Sequence, residues 1–321
     1  MHAINKILIA LALAGAAGAT AAQYPERPVR VIVGFSAGGP TDVVARAFAA
    51  YASKELGQAV VVENKPGANT ILAAEAVAKA PADGYTLLVG ATNHTMIPAL
   101  YGDRVKFDAR DSFAPVCTVA VSPTVLVVGP TVQTDTLVAF LATLKAEPGK
   151  RTYATPGTGS SGHFASEQFL RLTGTSMNHI PYKGAAQAIT DVMGGQVDSS
   201  LATLGSVLPQ VQSGKLKALG VAAPKRVAEL PQVPTFEEAG VRNYHADAWY
   251  GVMAPAGTPA PVLARLSKIA AGFAQDPGTA KSLDALGMQP RSVCGDDFGR
   301  QMTQEIADYR ALAKDLNLQA Q

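Results

Sequence analysis

From residue 29 onward, short continuous apolar runs alternate with longer stretches whose apolar positions return every three or four residues. VRVIVGF (29–35) has strand length and leads into a glycine-rich turn, SAGGP. Beyond that turn Val43, Val44, Ala47, Phe48 and Tyr51 fall on one face of a predicted helix that ends at Gly57. Pro40 stands at the helix entrance, where a missing N–H costs nothing. The same grammar continues with strand AVVVENK (59–65), a turn at Pro66-Gly67-Ala68, helix ILAAEAVAKA (71–80) and strand YTLLVG (85–90). Strands alternating with helices predict a parallel sheet with crossover helices.

The pattern then repeats with different residues. RTYATPGTGSSGHFASEQFLRLTG (151–174) is again strand, glycine turn and helix, followed by strand MNHIPY, turn Lys183-Gly184, helix AAQAITDVMGG and strand QVDSSLA. AVSPTVLVVGP (120–130) and DAWYGVMAPAGTP (247–259) are expected to cross between the two halves, the second returning the chain to helices at 259–275 and 295–316. The expected fold is therefore α/β: two lobes face each other over a cleft lined by the carboxyl ends of the strands, joined by hinge crossings. The expected boundaries are 23–122 with 255–321 for one lobe and 123–254 for the other.

Each glycine turn aims unpaired backbone N–H groups, at the positive end of a helix dipole, above its strand. That is an anion cradle. Two cradles facing one cleft predict one negatively charged ligand held between them.

Composition narrows the class. The chain is 48% hydrophobic and 16% charged, with a net charge of +2, which is globular. No Lys/Arg cluster carries interleaved aromatics, which argues against nucleic acid. The first residues read as a cleavable signal peptide (1–22): basic MHAINK, apolar ILIALALAGAAGA, then Ala19-Thr20-Ala21. The apolar run falls short of the roughly 20 residues that span a bilayer, so an exported, periplasmic protein is expected. Cys117 and Cys294 can bridge in an oxidising compartment, or remain two unrelated buried thiols. A bridge would contribute roughly 4–5 kcal/mol in the chain-entropy model.

Several motifs invite enzyme readings and lack their context. Gly157-Thr158-Gly159-Ser160-Ser161-Gly162 matches G-x-G-x-x-G, but the next strand ends at Tyr182-Lys183 without an acidic residue for a ribose. Neither Ser160 nor Ser161 sits in G-x-S-x-G, and a serine opening a helix is an expected N-cap. No G-K-[ST] follows either turn. The five histidines show no metal-ligand spacing, so neither cofactor nor metal is expected. His163 sits in the first turn of the second cradle helix and can either pack or meet a ligand. Asp42 is expected to cap its helix or pair with Arg46. Lys183, in a glycine turn at a strand end, can reach a carboxylate, with a solvated surface lysine as the default reading.

At GFSAGGPTDVVAR, TYATPGTGSSGHFASE, HIPYKGAAQAITDVMGGQVD, WYGVMAPAGTP, PADGYTLLVG and KLKALGVAAPKRVAELPQVPTFEEAG, the chain resembles the Bug/TctC family, the periplasmic solute-binding proteins of tripartite tricarboxylate transporters. The resemblance covers essentially the whole mature chain. It implies a type II periplasmic binding protein, a Venus flytrap that closes on a small carboxylate without altering it. Delivery would be to a membrane permease of one large and one small subunit. By motif position it places Phe35, Ser36, Ala37 and Thr41 at the ligand in the first lobe. In the second it places Thr155, Gly157, Thr158, Ser160 and His163 there, with Tyr182 and Thr203, and Thr92 and Asn93 of the first lobe, at neighbouring strand ends. A monomer suffices for this role. An exported sensor feeding a signalling receptor, and a serine hydrolase, are the alternatives. One departure stands out: relatives usually carry GAGGxxG after the second strand, whereas here residues 67–73 read GANTILA. Side chains there would narrow the cleft or add polar contacts.

Overall fold

The computed structural model describes residues 24–244, 246–315 and 318. The expected signal peptide and His245 lie outside them. The first repeat builds β1 (Val29–Val33), α1 (Pro40–Leu56), β2 (Val60–Asn64), α2 (Ile71–Ala78), β3 (Thr86–Ala91) and α3 (Asn93–Tyr101). β1 pairs parallel with both β2 and β3. A long strand, β4 (Phe113–Val128, 16 residues), then leaves this part of the sheet.

The second repeat follows as α4 (Leu137–Ala146), β5 (Thr152–Thr155), α5 (Ser161–Thr173), β6 (Asn178–Pro181), α6 (Ala185–Met193), β7 (Ser199–Thr203), α7 (Leu204–Gln212) and β8 (Lys217–Val221). β5 pairs parallel with β6 and β7. β9 (Asp247–Pro255) returns the chain to α8 (Ala260–Gln275), α9 (Pro277–Asp284), β10 (Gln289–Pro290) and α10 (Gly295–Asp315).

β4 joins the halves. Its residues 113–123 run antiparallel to β9, while 124–128 pair with β7 and β8. β9 also pairs antiparallel with β3. The strand order is thus β2-β1-β3-β9-β4-β7-β5-β6: parallel within each repeat, antiparallel where the two crossings meet.

Two-sided burial follows from the apolar runs. Val31 and Val89 face α1 and α8 through Phe48 and Phe273, whereas Ile32 and Leu88 face α2 and α10 through Val77, Phe298 and Met302. In the second lobe Leu126, Tyr153 and Leu201 meet Phe140 and Phe169, and Val125 and Val127 meet Ile189, Val192 and Val207. Each such side chain contributes on the order of 1.5–3 kcal/mol by leaving water. The fold is the expected two-lobe α/β architecture.

Two sequence readings change. The buried stripe of α1 is Val44, Ala45, Phe48, Ala49, Ala52 and Leu56; Val43, Ala47 and Tyr51 flank it, half-buried. Small alanines let the helix lie close on the sheet, so the stripe rotates towards them. The pattern also does not mark α3, α4, α7 or α9. α3 and α7 carry internal prolines, Pro98 and Pro209, which locally break a helical signal. In α4 the exposed Val138 blurs the apolar face. Cys117 and Cys294 form a disulfide, fastening β4 to the start of α10.

Candidate ligand-binding cleft

The first cradle fills the turn between β1 and α1. Gly38 has φ +84, and its N–H donates to Asp42 Oδ2 at 2.9 Å. The same oxygen accepts from Arg46 Nε at 2.9 Å, and Oδ1 accepts from Asn64 Nδ2 at 2.8 Å. Burial pushes the Asp42 carboxyl up, but the hydrogen bonds from Arg46, Gly38 and Asn64 outweigh it and leave the pKa lowered. Asp42 therefore spends its charge inside its own turn. Gly39, the N-cap of α1, has no side chain to cap the helix, so its first-turn N–H groups lack a side-chain cap, and Thr41 of that turn lines the cleft.

The second cradle follows β5. Thr155 Oγ1 lies 2.7 Å from His179 Nε2 and accepts the Gly157 N–H. Gly157 (φ +146) and Gly159 (φ +78) make the bend. Ser160 caps α5 by accepting the His163 N–H, as expected of a serine at a helix start. His163 Nδ1 accepts the Gly159 N–H at 3.1 Å. Burial lowers His163 to about 3, with the neighbouring His179 adding to it, and burial lowers His179 to about 4. An imidazole that accepts through Nδ1 must be unprotonated there, consistent with that direction.

Both cradles open on one cavity of about 270 Å³. Phe35, Ser36, Ala37 and Thr41 line it from the first lobe and Ser160 from the second, with Asn93 and Thr203 at strand ends. Thr92, Thr155, Gly157, Thr158, His163 and Tyr182 do not line it. Thr92 is buried and fastens Trp249 of β9 through two hydrogen bonds. Thr155 and His163 are turned inward to hold the turn. Gly157 lies against the Tyr182 carbonyl, and Tyr182 donates its hydroxyl to Asp191. Thr158 is half-buried in the turn itself.

The cavity also has walls that sequence reasoning passed over. Gly184, Ala185 and Ala186 present the uncapped N-terminus of α6, the third strand–glycine–helix passage in the chain and readable as such from Lys183-Gly184. Lys183, which the sequence already offered as a residue able to reach a carboxylate, lines the cavity although exposed. Tyr250 of β9 is buried at the cavity; burial raises its phenol pKa and a hydrogen bond with Thr203 opposes this. A tyrosine inside an apolar hinge strand carries no sequence signal. Lys183 is the single charged residue among the described lining residues, and none is acidic. No described group of His, Cys, Asp and Glu could hold a metal ion.

Two lobes, a hinge of two crossing strands and a shared cavity lined by helix N-termini define a periplasmic-type solute-binding protein. The chain belongs to the tripartite tricarboxylate transporter family receptors, the TctC family, whose model matches residues 44–318. It is 35% identical over 309 residues to protein BugT of Bordetella pertussis, covering 96% of this chain and 95% of that one. An R. palustris protein solved with adipate superposes with TM-score 0.88 at 31% identity, covering 92% of this chain and all of that one. MatC from Rhodopseudomonas palustris, with bound malate, gives TM-score 0.83 at 30% identity over 90% of this chain and 99% of that one. Family and neighbours are solute-binding proteins, and this chain is a binding protein rather than an enzyme.

Proposed function

We propose that this protein is a periplasmic receptor that captures a small carboxylate between its lobes and delivers it to the large and small permease subunits of a tripartite tricarboxylate transporter. The observation that carries the reading is the single cavity onto which both glycine cradles open, with no acidic side chain among its described lining residues. Backbone N–H groups at helix N-termini stabilise an anion, and a closed cleft strengthens those contacts by excluding water. The acid-free lining favours a mono-, di- or aromatic acid over an amino acid, whose ammonium would need a carboxylate partner. The adipate and malate held by the two neighbours support the carboxylate class.

In this reading Phe35, Ser36, Ala37 and Thr41 meet the ligand from one lobe, and Ser160, Thr203 and the α6 amides from the other, over Tyr250. One lobe comprises residues 23–122 with 255–321 and the other residues 123–254, and residues 1–22 are removed on export. The protein acts as a monomer. Thermal shift against a carboxylate panel tests it: a ligand at 100 times Kd adds about 2.7 kcal/mol of stability, a rise of a few degrees in Tm. If no acid shifts Tm, the reading fails.

A further inference from the structure

The lobes touch through an apolar cluster of Met96, Leu100, Phe164 and Tyr309 and the Arg171–Asp315 ion pair. One further hydrogen bond joins them beside the second cradle, between residues that do not line the cavity. Asn69, in the turn between β2 and α2, donates from Nδ2 to the carbonyl oxygen of Gly159 at 3.0 Å. Gly159 belongs to the second cradle.

The turn that carries Asn69 has an unusual backbone. Ala68, Asn69 and Thr70 all have positive φ, at 46°, 50° and 72°, where side-chain-bearing residues are uncommon and a β-branched one is an outlier. Such strain persists only where the surroundings over-determine it. Here Asn93 Nδ2 donates to Thr70 Oγ1 at 2.8 Å and to the Asn69 carbonyl at 3.4 Å. Thr70 itself presses on the first cradle: a Cβ on Gly34 would fall 2.4 Å from Thr70 Cβ. The turn is thus bound to the first cradle, and its asparagine side chain reaches across to the second.

The receiving end is equally constrained. A Cβ on Gly159 would fall 2.1 Å from Leu100 Cδ1 and 3.2 Å from Asn69 Nδ2. Only glycine lets the lobes approach this closely. The Gly159 N–H is simultaneously held by His163, so the peptide that receives the Asn69 amide is fixed within its own lobe.

We infer that Asn69 is a positioning residue for closure: it latches the second cradle to the first by a protein-to-protein bond and so biases the closed state whatever acid is bound. This rests on the receptor reading above. A bond that favours one conformation changes apparent affinity through the population of that conformation, equally for every ligand that needs it.

The test compares wild type with Asn69→Gly, which relieves the positive φ while deleting the amide, and with Asn69→Asp, which keeps the shape but donates nothing when ionised. Small-angle scattering of the ligand-free proteins should show both variants more open than wild type. Calorimetry with adipate, malate and benzoate should show those that bind wild type weakened by a common factor of about two to ten in Asn69→Gly, the range of one net hydrogen bond. Equal scattering of wild type and both variants overturns the latch, and so does loss of affinity for one acid with the others unchanged. Failure of all three acids to bind wild type counts against the carboxylate reading alone, since the scattering comparison still decides the latch.

Discussion

His163 lies flat against His179, ring centroids 4.1 Å apart and planes 11° from parallel. The pair forms the underside of the second cradle, with His163 holding the Gly159 N–H and His179 holding Thr155. His179 in turn stacks on Tyr153, at 4.9 Å, whose hydroxyl donates to Glu167. An imidazole ladder of this kind supports a turn by packing and by one accepted hydrogen bond, and it does so only while neutral.

Acid should therefore loosen the protein. His94, His163 and His179 are held at about 4, 3 and 4 in the fold, by burial first in each case. Their unfolded value is about 6.5. Between those limits the unfolded chain binds more protons, so stability is complete above about pH 6.5 and is lost as pH falls towards 4. Each histidine contributes up to about 1.4 kcal/mol per pH unit across that window. Denaturant midpoints at pH 7.5, 6 and 5 should fall in that order. His163→Gln, which removes the titrating ring but keeps an oxygen for the Gly159 N–H, should flatten the fall; an unchanged slope would refute the assignment.

Reduction should weaken the fold and spare the cleft. The Cys117–Cys294 bridge closes a separation of 177 residues, worth about 5 kcal/mol in the chain-entropy model. Cys117 lies in the core of the first lobe, and neither cysteine lines the cavity. The double Cys→Ser variant should lose several kcal/mol in denaturant melts while its Kd for an acid stays within about twofold of wild type.

The cradle glycines are unequal. A Cβ at Gly38 meets nothing within 4 Å, so only its φ of +84 resists substitution, at about 1–2 kcal/mol. At Gly157 the φ of +146 combines with a tight fit, since an added Cβ would fall 3.1 Å from the Tyr182 carbonyl oxygen. Gly157→Ala should displace the turn and lower affinity at least tenfold, whereas Gly38→Ala should mainly lower Tm. Equal affinity losses in the two would contradict this geometry.

The position of both cradles was legible in the sequence because glycine turns between a strand and a helix leave a chemical signature. The direction of the side chains within them was not. His163 opens its helix beside the cleft, yet its partner His179 comes from another strand, and only the folded sheet brings the rings together. Asn69 reads as a lost glycine; that it spans to Gly159 depends on how far the lobes close. Tyr250 and Thr92 sit at the hinge, where antiparallel pairing of β9 with β3 and β4 joins residues far apart in sequence. The repeats themselves were plain because strands buried on both faces must be continuously apolar.

Ser160 separates a receptor from a hydrolase by a single substitution. Its hydroxyl accepts the His163 N–H and caps α5, and His163 Nδ1 is occupied by the Gly159 N–H, so the imidazole is not aimed at it as a base. Ser160→Ala removes the cap and should cost about 1 kcal/mol of stability, visible as a Tm lower by about one to two degrees. Because the cradle binds through backbone N–H groups that this change leaves in place, affinity for a bound acid should fall no more than a few-fold in calorimetry. A hundredfold loss would mean that the hydroxyl, and not the peptide backbone, carries the anion.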